Sequence, residues 1–339
     1  MSDVLSKFAK KILDSDAYSL GEIITEENIS FVPIIKEGIP RDQRDYLTID
    51  EAFEEKVLEI IDKGTEIQHL IAKNLGKIPI LIEEGEILAG QGTQDRMVLG
   101  SIIIEPKSTI EIPVKCVHAP HPLSGGSGFA SFSKPSSGML KKIRNLKYKS
   151  VMSDVTTSAI DQSEIWDEVQ EETAGYDVKD KSQYKSTIGV DMQKASKRKI
   201  EFPKSTIGVI AISDEEKVVG AEIHRGPRAF DRRKIYLLTT IERKFKKNKK
   251  PITNEQAKTK SQSFLEELSN IKESEVMKQL EIDGLLFKLA DDIQGEFVSN
   301  KFYSDICPKC NKPKPRVAIC KKCKFEEEVE EELLYASMN

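Results

Sequence analysis

Four cysteines, Cys307, Cys310, Cys320 and Cys323, stand as C-P-K-C and C-K-K-C with a short spacer between the pairs. A C-x-x-C turn points two thiolates at one ion while backbone amides steady the sulfurs, and two such turns complete a tetrahedron. The spacing predicts a closed, structural zinc ribbon with four cysteine ligands. Zinc is favoured over iron for so tight and sequential a set, although a rubredoxin-like iron centre shares the geometry. Four thiolates leave no open coordination position, so the ion would organise the fold and activate no water. A segment this short has almost no core. Its folding must come from metal binding, worth roughly 10–16 kcal/mol in zinc-finger peptides.

Basic residues surround this cluster. Lys309, Lys312, Lys314, Arg316, Lys321 and Lys322, together with Arg243, Lys246 and Lys247 from a second basic run, are the candidate partner contacts. Such surfaces neutralise phosphates and bind nucleic acid with steep salt dependence. A merely solvated face explains them equally well, and the acidic run from Glu326 to Glu332 opposes polyanion binding. Cys116, His118 and His121 form a C-x-H-x-x-H string at the exit of an apolar run. Alternation places Cys116 and His118 on one strand face, which leaves open a second metal site, a Cys–His nucleophile, or simply a buried thiol with two loop histidines. The strings AGQGTQDR and SGGSGF match neither a dinucleotide fingerprint, a phosphate-binding loop nor a nucleophile elbow. Glu83, Glu84 and Glu86 fall in a glycine turn, where exposure is expected.

The elements that must position these residues are mostly strands. Ile78 to His118 holds several β-branched runs punctuated by Gly and Pro, the pattern of buried strands around which the chain is organised. Val4, Leu5, Phe8, Ile12 and Leu13 predict a short amphipathic helix packed on the body. Thr48 and Glu51 form a capping box. IQHLIAKN and KIPILIEE are expected to pair through a tight turn at Asn74 to Gly76. Ala119 to Ser137 reads as a long surface loop, Ile160 to Val169 as a helix carrying the single tryptophan, Trp166, in the core, and Gly175 to Arg198 as an exposed crossover. FPKSTIGVIAISDEEKVVGAEIH predicts a hairpin, Arg228 to Phe245 and Gln256 to Ile271 predict helices, and Asp283-Gly284 centres a second hairpin.

The fold class is therefore α+β, with a β-rich core of sandwich or barrel-like sheets, flanking helices and the small zinc ribbon. The expected division is an N-terminal helix over 1–18, a β-rich mixed domain over 19–303, the ribbon over 304–326 and an acidic tail over 327–339. With 52 basic and 56 acidic side chains, the net charge of −4 predicts neither a polyanion binder nor an acidic-tail protein. No run approaches a membrane span, the N-terminus lacks a secretory apolar region, and four clustered cysteines with a lone Cys116 argue for a reducing, cytoplasmic compartment.

In YLTIDEAF, KNLGKIPILIEEGEILAG with Gln94, Asp95 and Arg96, IEIPVKCV, DQSEIWDEV and FPKSTIGVIAI with VVGAEI, the chain resembles the ARG and rhodanese-phosphatase-superfamily-associated protein domain family. The resemblance implies a mixed β-rich domain of intracellular prokaryotic type with no established reaction, and it adds the polar loop Gln94, Asp95, Arg96 as a site candidate. The chain departs from the family pattern at His118, where an acidic residue is usual, and in carrying the cysteine cluster.

Two expectations of function follow. One is a non-enzymatic interaction protein whose ribbon docks onto RNA, a ribonucleoprotein or another protein. The other is a hydrolase or transferase built from Gln94, Asp95, Arg96, His118 and His121, which requires those loops to converge.

Overall fold

The computed structural model describes residues 3–14, 16–38, 44–64, 66–118, 128–289, 293–303, 306–312 and 318–339. Two β-structures share the chain, as the alternating and fully apolar runs require. The larger is an antiparallel sheet of nine strands. Its spatial order is β1 (Tyr18–Leu20), β3 (Ile29–Lys36), β13 (Thr206–Ser213), β14 (Val218–His224), β18 (Glu331–Met338), β17 (Gln294–Lys301), β16 (Leu285–Lys288) and β15 (Val276–Lys278), with β2 (Ile24–Glu26) hydrogen-bonded to β3. On one face, α1 (Val4–Asp14) and α7 (Asn254–Ser269) bury Leu5, Ala9, Phe264 and Leu265 against Val32, Ile210 and Phe297. On the other lies α6 (Pro227–Ile241), with Phe230, Leu237 and Ile241 packed on Phe31, Val209 and Ala211.

The second structure is nearly a barrel. Six strands run in the order β12 (Phe129–Ser133), β8 (Ile87–Gly90), β9 (Arg96–Val98), β11 (Thr109–Cys116), β6 (His69–Asn74) and β5 (Leu58–Asp62). A single bridge between Ile61 and Gly128 brings the two edge strands together. Leu58, Ile60, Leu70, Ala72, Leu88, Val98, Ile112 and Val114 fill the interior, the inward set that period-two alternation dictates. They share that core with a small sheet of β10 (Ile102–Ile104), β7 (Ile80–Ile82) and β4 (Leu47–Thr48). The outer face is covered by α3 (Ser137–Met152), α4 (Gln162–Ala174) and α5 (Tyr184–Ala195), which pack Met139, Ile143, Ile165 and Tyr184 on Ile87, Met97 and Val117.

Most predicted elements are present. The Thr48–Glu51 capping box starts α2 (Ile49–Glu54), and the hairpins β13–β14 and β15–β16 form as expected. Five expectations need correction. Of the loop read over 119–137, residues 119–127 lie outside the described residues, and Phe129–Ser133 is β12, paired with β8. IQHLIAKN and KIPILIEE do not pair: β6 lies between β5 and β11, whereas β7 pairs with β10 and β4. The Asn74 side chain explains why, since its amide donates to the carbonyls of Ile78 and Ile104 at 2.9 Å and turns the chain into the other sheet. The expected crossover over 175–198 contains α5, whose Tyr184, Thr187, Ile188 and Asp191 are buried. Trp166 is half-buried. Finally, Glu331–Met338 is no tail. Behind the acidic run, Leu333, Leu334, Tyr335, Ala336 and Met338 form a buried strand between β14 and β17.

That last strand changes the place of the cysteine segment. It is an insertion between two paired strands, β17 and β18, held at both ends by the large sheet.

Candidate metal centre and polar sites

The two cysteine turns are copies of one another. Cys307 N–H donates to the Lys312 carbonyl and Asn311 N–H to the Cys307 carbonyl; Cys320 N–H likewise donates to Phe325 and Lys324 N–H to Cys320. Asn311 and Lys324, at equivalent positions, both take the left-handed conformation, with φ of 51° and 60°. The four sulfurs lie within 4.8 Å of one another, with Cys307 and Cys323 3.5 Å apart and Cys310 and Cys320 3.8 Å apart. A metal–sulfur bond of about 2.3 Å in a tetrahedron places the sulfurs about 3.8 Å apart. The donor set therefore fits a tetrahedral ion, and all four thiols are free of disulfides. The amides of Cys323 and Lys322 aim at the Cys320 sulfur and lower its thiol to about 6, whereas burial and the neighbouring thiols raise Cys310 to about 11.

Of the basic candidates, Lys309, Lys312, Lys321 and Lys322 are exposed on this module; Lys314 and Arg316 lie outside the described residues. Ile306 and Ile319, each immediately before the first cysteine of a turn, are 49% and 50% exposed. Arg243 is engaged internally, because its Nε donates to Asp191 at 2.9 Å and its Nη1 pairs with Glu172 at 3.0 Å. Lys246 pairs with Glu215 at 2.8 Å, and Lys247 is exposed.

The loop candidates do converge. His118 Nδ1 lies 3.8 Å from Asp95 and its Nε2 3.5 Å from Asp180, while Asp95 also accepts from Gly90 N–H, Gln183 Nε2 and Lys185 Nζ at 3.0, 3.0 and 3.3 Å. Gln183, Lys185 and Asp180 come from the segment read as a crossover, where no local pattern pairs them with this loop. Arg96 points away from Asp95, as neighbours on a strand must. Its Nη1 donates to both the carbonyl and the side-chain oxygen of Gln94 at 3.1 Å. His121 lies outside the described residues. Cys116 is buried, its thiol donating to the His118 carbonyl at 3.1 Å, and burial pushes its pKa up. That environment disfavours a thiolate nucleophile. A further cluster, Glu66, His69 and Glu111, has metal-ligand spacing, but the Lys63 ammonium already bridges Glu66 and Glu111 at 2.9 and 2.7 Å.

The turn expected to be exposed is instead deeply buried. Glu83, Glu84 and Glu86 are 1%, 1% and 0% exposed. Glu83 meets Lys134 at 2.5 Å and Arg233 at 3.2 Å; Glu84 accepts from Arg144 Nη2 at 2.6 Å and pairs with Lys147; Glu86 meets Arg233 at 2.5 Å. Lys147 continues to Glu296 on β17 at 2.5 Å, and Lys134 to Glu222 on β14 at 3.3 Å. The turn thereby bolts the barrel to the large sheet. Gly85 permits it, since its φ of +78° favours glycine and an added Cβ would meet Leu140 at 2.7 Å.

Burial pushes the Glu83 carboxyl up, yet the Arg233 and Lys134 cations outweigh it and hold it at about 2. Burial wins at Glu86, which is raised to about 7 because Asp50 and Glu83 add to it and Arg233 is shared. A raised carboxyl binds its proton more tightly folded than unfolded, so its contribution is fully present below about 4.5 and is lost as pH rises through about 7. The stability difference between wild type and Glu86→Gln should therefore change by on the order of 2 kcal/mol between pH 5 and 8, the wild type losing ground. Glu83 stays ionised across that window. Urea unfolding at the two pH values checks this, and parallel curves would refute it.

The family model of the ARG and Rhodanese-Phosphatase-superfamily-associated Protein domain matches residues 17–293. No curated protein and no solved structure matches the chain.

Proposed function

The chain belongs to the ARG and Rhodanese-Phosphatase-superfamily-associated Protein domain family, and from that premise we propose that it is a non-enzymatic interaction protein that docks an RNA through a zinc-organised module. The matched region ends before the cysteines, so the module lies outside the family domain, as do β17 and β18. One observation carries the reading. Lys309, Lys312, Lys321, Lys322 and Lys324 stand exposed on a small module together with two exposed isoleucines, Ile306 and Ile319. The two isoleucines add apolar contact area beside the lysine charges. Zinc is the metal that best suits four sequential thiolates in a closed site.

The test is binding of the metal-loaded chain to a mixed-sequence RNA oligomer at several salt concentrations. Lys321→Glu with Lys322→Glu should weaken binding at least tenfold at low salt and flatten the salt dependence, with the fold intact by circular dichroism. Binding unchanged by the double reversal would sink RNA docking at this tip. Weak RNA binding with partner capture that depends on Ile306 and Ile319 would replace RNA by a protein.

The convergence of Asp95 and His118 favours a second reading, a hydrolase or transferase with His118 as general base between two carboxylates. No turnover across ester and phosphoester panels would remove it.

A further inference from the structure

A cleft of about 570 Å³ opens where the start of α3 meets the β13–β14 turn and α7. Four lysines from four separate segments line it: Lys141 on α3, Lys217 in the turn, Lys244 just after α6 and Lys260 on α7. Lys141 and Lys260 are half-buried in its wall, and Lys217 and Lys244 are exposed. Ser137 and Gly138, the first two residues of α3, also line it, and amides at those positions have no intrahelical acceptor. This helix of 16 residues turns the positive end of its dipole to the cleft. Glu172, the acid beside Gly138, is already engaged by Ser136, Tyr184 and Arg243. Two side-chain carboxylates share the lining. Glu215 pairs with Lys217 at 3.1 Å and Lys246 at 2.8 Å, and Glu216 accepts from the Gln256 amide at 2.8 Å.

The lining states the chemistry. Four ammoniums gathered from separate segments repel one another, and a bound anion relieves that repulsion. Lysine ammoniums are point-charge donors to phosphate, and the start of a helix offers amides to the same group. The lining residues include no arginine fork of the kind that grips a planar carboxylate. Size adds a second constraint, because the cleft falls in the range of small-molecule sites, roughly 300–1,000 Å³, and a bare phosphate would leave most of it unfilled. Val218, Val219 and Ile293 line the remainder. We propose that this cleft binds a phosphomonoester of a small, partly apolar molecule, with its phosphoryl group held by Lys141, Lys260 and the start of α3 and its apolar part on the valines and Ile293. The site is independent of the cysteine module. Gln294 and Asn339 exchange backbone hydrogen bonds at the cleft end of the β17–β18 pair, whereas the module joins Lys301 to Glu331 at the other end.

Titration calorimetry of the full metal-loaded chain in phosphate-free buffer tests this with phenyl phosphate, inorganic phosphate and phenol as probes. Phenyl phosphate should bind saturably, one to one and roughly tenfold tighter than inorganic phosphate, while phenol gives no saturable heat. Lys141→Gln with Lys260→Gln removes two charges from the wall and keeps most of each stem; it should weaken phenyl phosphate by roughly tenfold with the fold intact by circular dichroism. Lys244→Gln, at an exposed position, should weaken it by about threefold and reads the same site if the double change does not fold. Lys149→Gln, an exposed position of α3 outside the cleft, should leave the affinity unchanged. No saturable heat from phenyl phosphate, inorganic phosphate binding as tightly, or unaltered affinity in the folded cleft variants would each overturn the proposal. Because Lys321 and Lys322 lie in the module at the far end of the strand pair, RNA docking can fail while this site stands, and the reverse.

Discussion

Arg233→Met lowers the unfolding free energy by about 3–5 kcal/mol at neutral pH, the usual result of removing one partner of a buried ion pair. Arg233 is fully buried in α6 and serves three carboxylates, Asp50 at 2.6 Å, Glu83 at 3.2 Å and Glu86 at 2.5 Å. Met preserves the packing of the stem but leaves those acids, among the described residues, with Lys134 as the cation in direct contact with Glu83. The loss should shrink below pH 4.5, where the stranded carboxyls neutralise themselves. Arg232→Met is the control one residue away: Arg232 is 44% exposed and pairs with Glu54 at the surface, worth about 0–1 kcal/mol. Urea unfolding followed through the single tryptophan, Trp166, measures both. An Arg233→Met protein no less stable than Arg232→Met would show that the buried carboxylates do not depend on this guanidinium.

Stripping the metal should undo the cysteine module almost completely while leaving the sheets standing. The module has little apolar interior, so most of its order comes from binding energy of roughly 10–16 kcal/mol. The sheet loses much less. Without the ion, the segment between β17 and β18 becomes a long flexible connection, and replacing a tight turn by such a loop costs about 2 kcal/mol at roughly 0.6 per doubling of length. A strong chelator should release one metal per chain, abolish amide protection at Asn311 and Lys324, and lower the unfolding midpoint only modestly. Release without local exchange, or collapse of the whole protein at once, contradicts this division of labour. Elemental analysis of the released ion distinguishes zinc from iron.

Features fixed by local chemistry could be read from the chain before folding. The cysteine spacing predicted a site whose sulfurs do meet, and the Thr48–Glu51 cap forms where the residue types allow it. What escaped was settled by distant partners. Glu83, Glu84 and Glu86 look like solvated turn residues because Arg144, Lys147 and Arg233, which bury them, lie far along the chain. The acidic run before Leu333 hid a strand that only the large sheet makes sense of.

The position of β18 between β14 and β17 has a consequence for synthesis. The other described strands of the large sheet all precede β18 in the chain, so until residue 338 leaves the ribosome β14 and β17 keep open edges that β18 later covers. Termination before Leu333 should thus yield a sticky, chaperone-dependent product instead of a slightly shortened working protein.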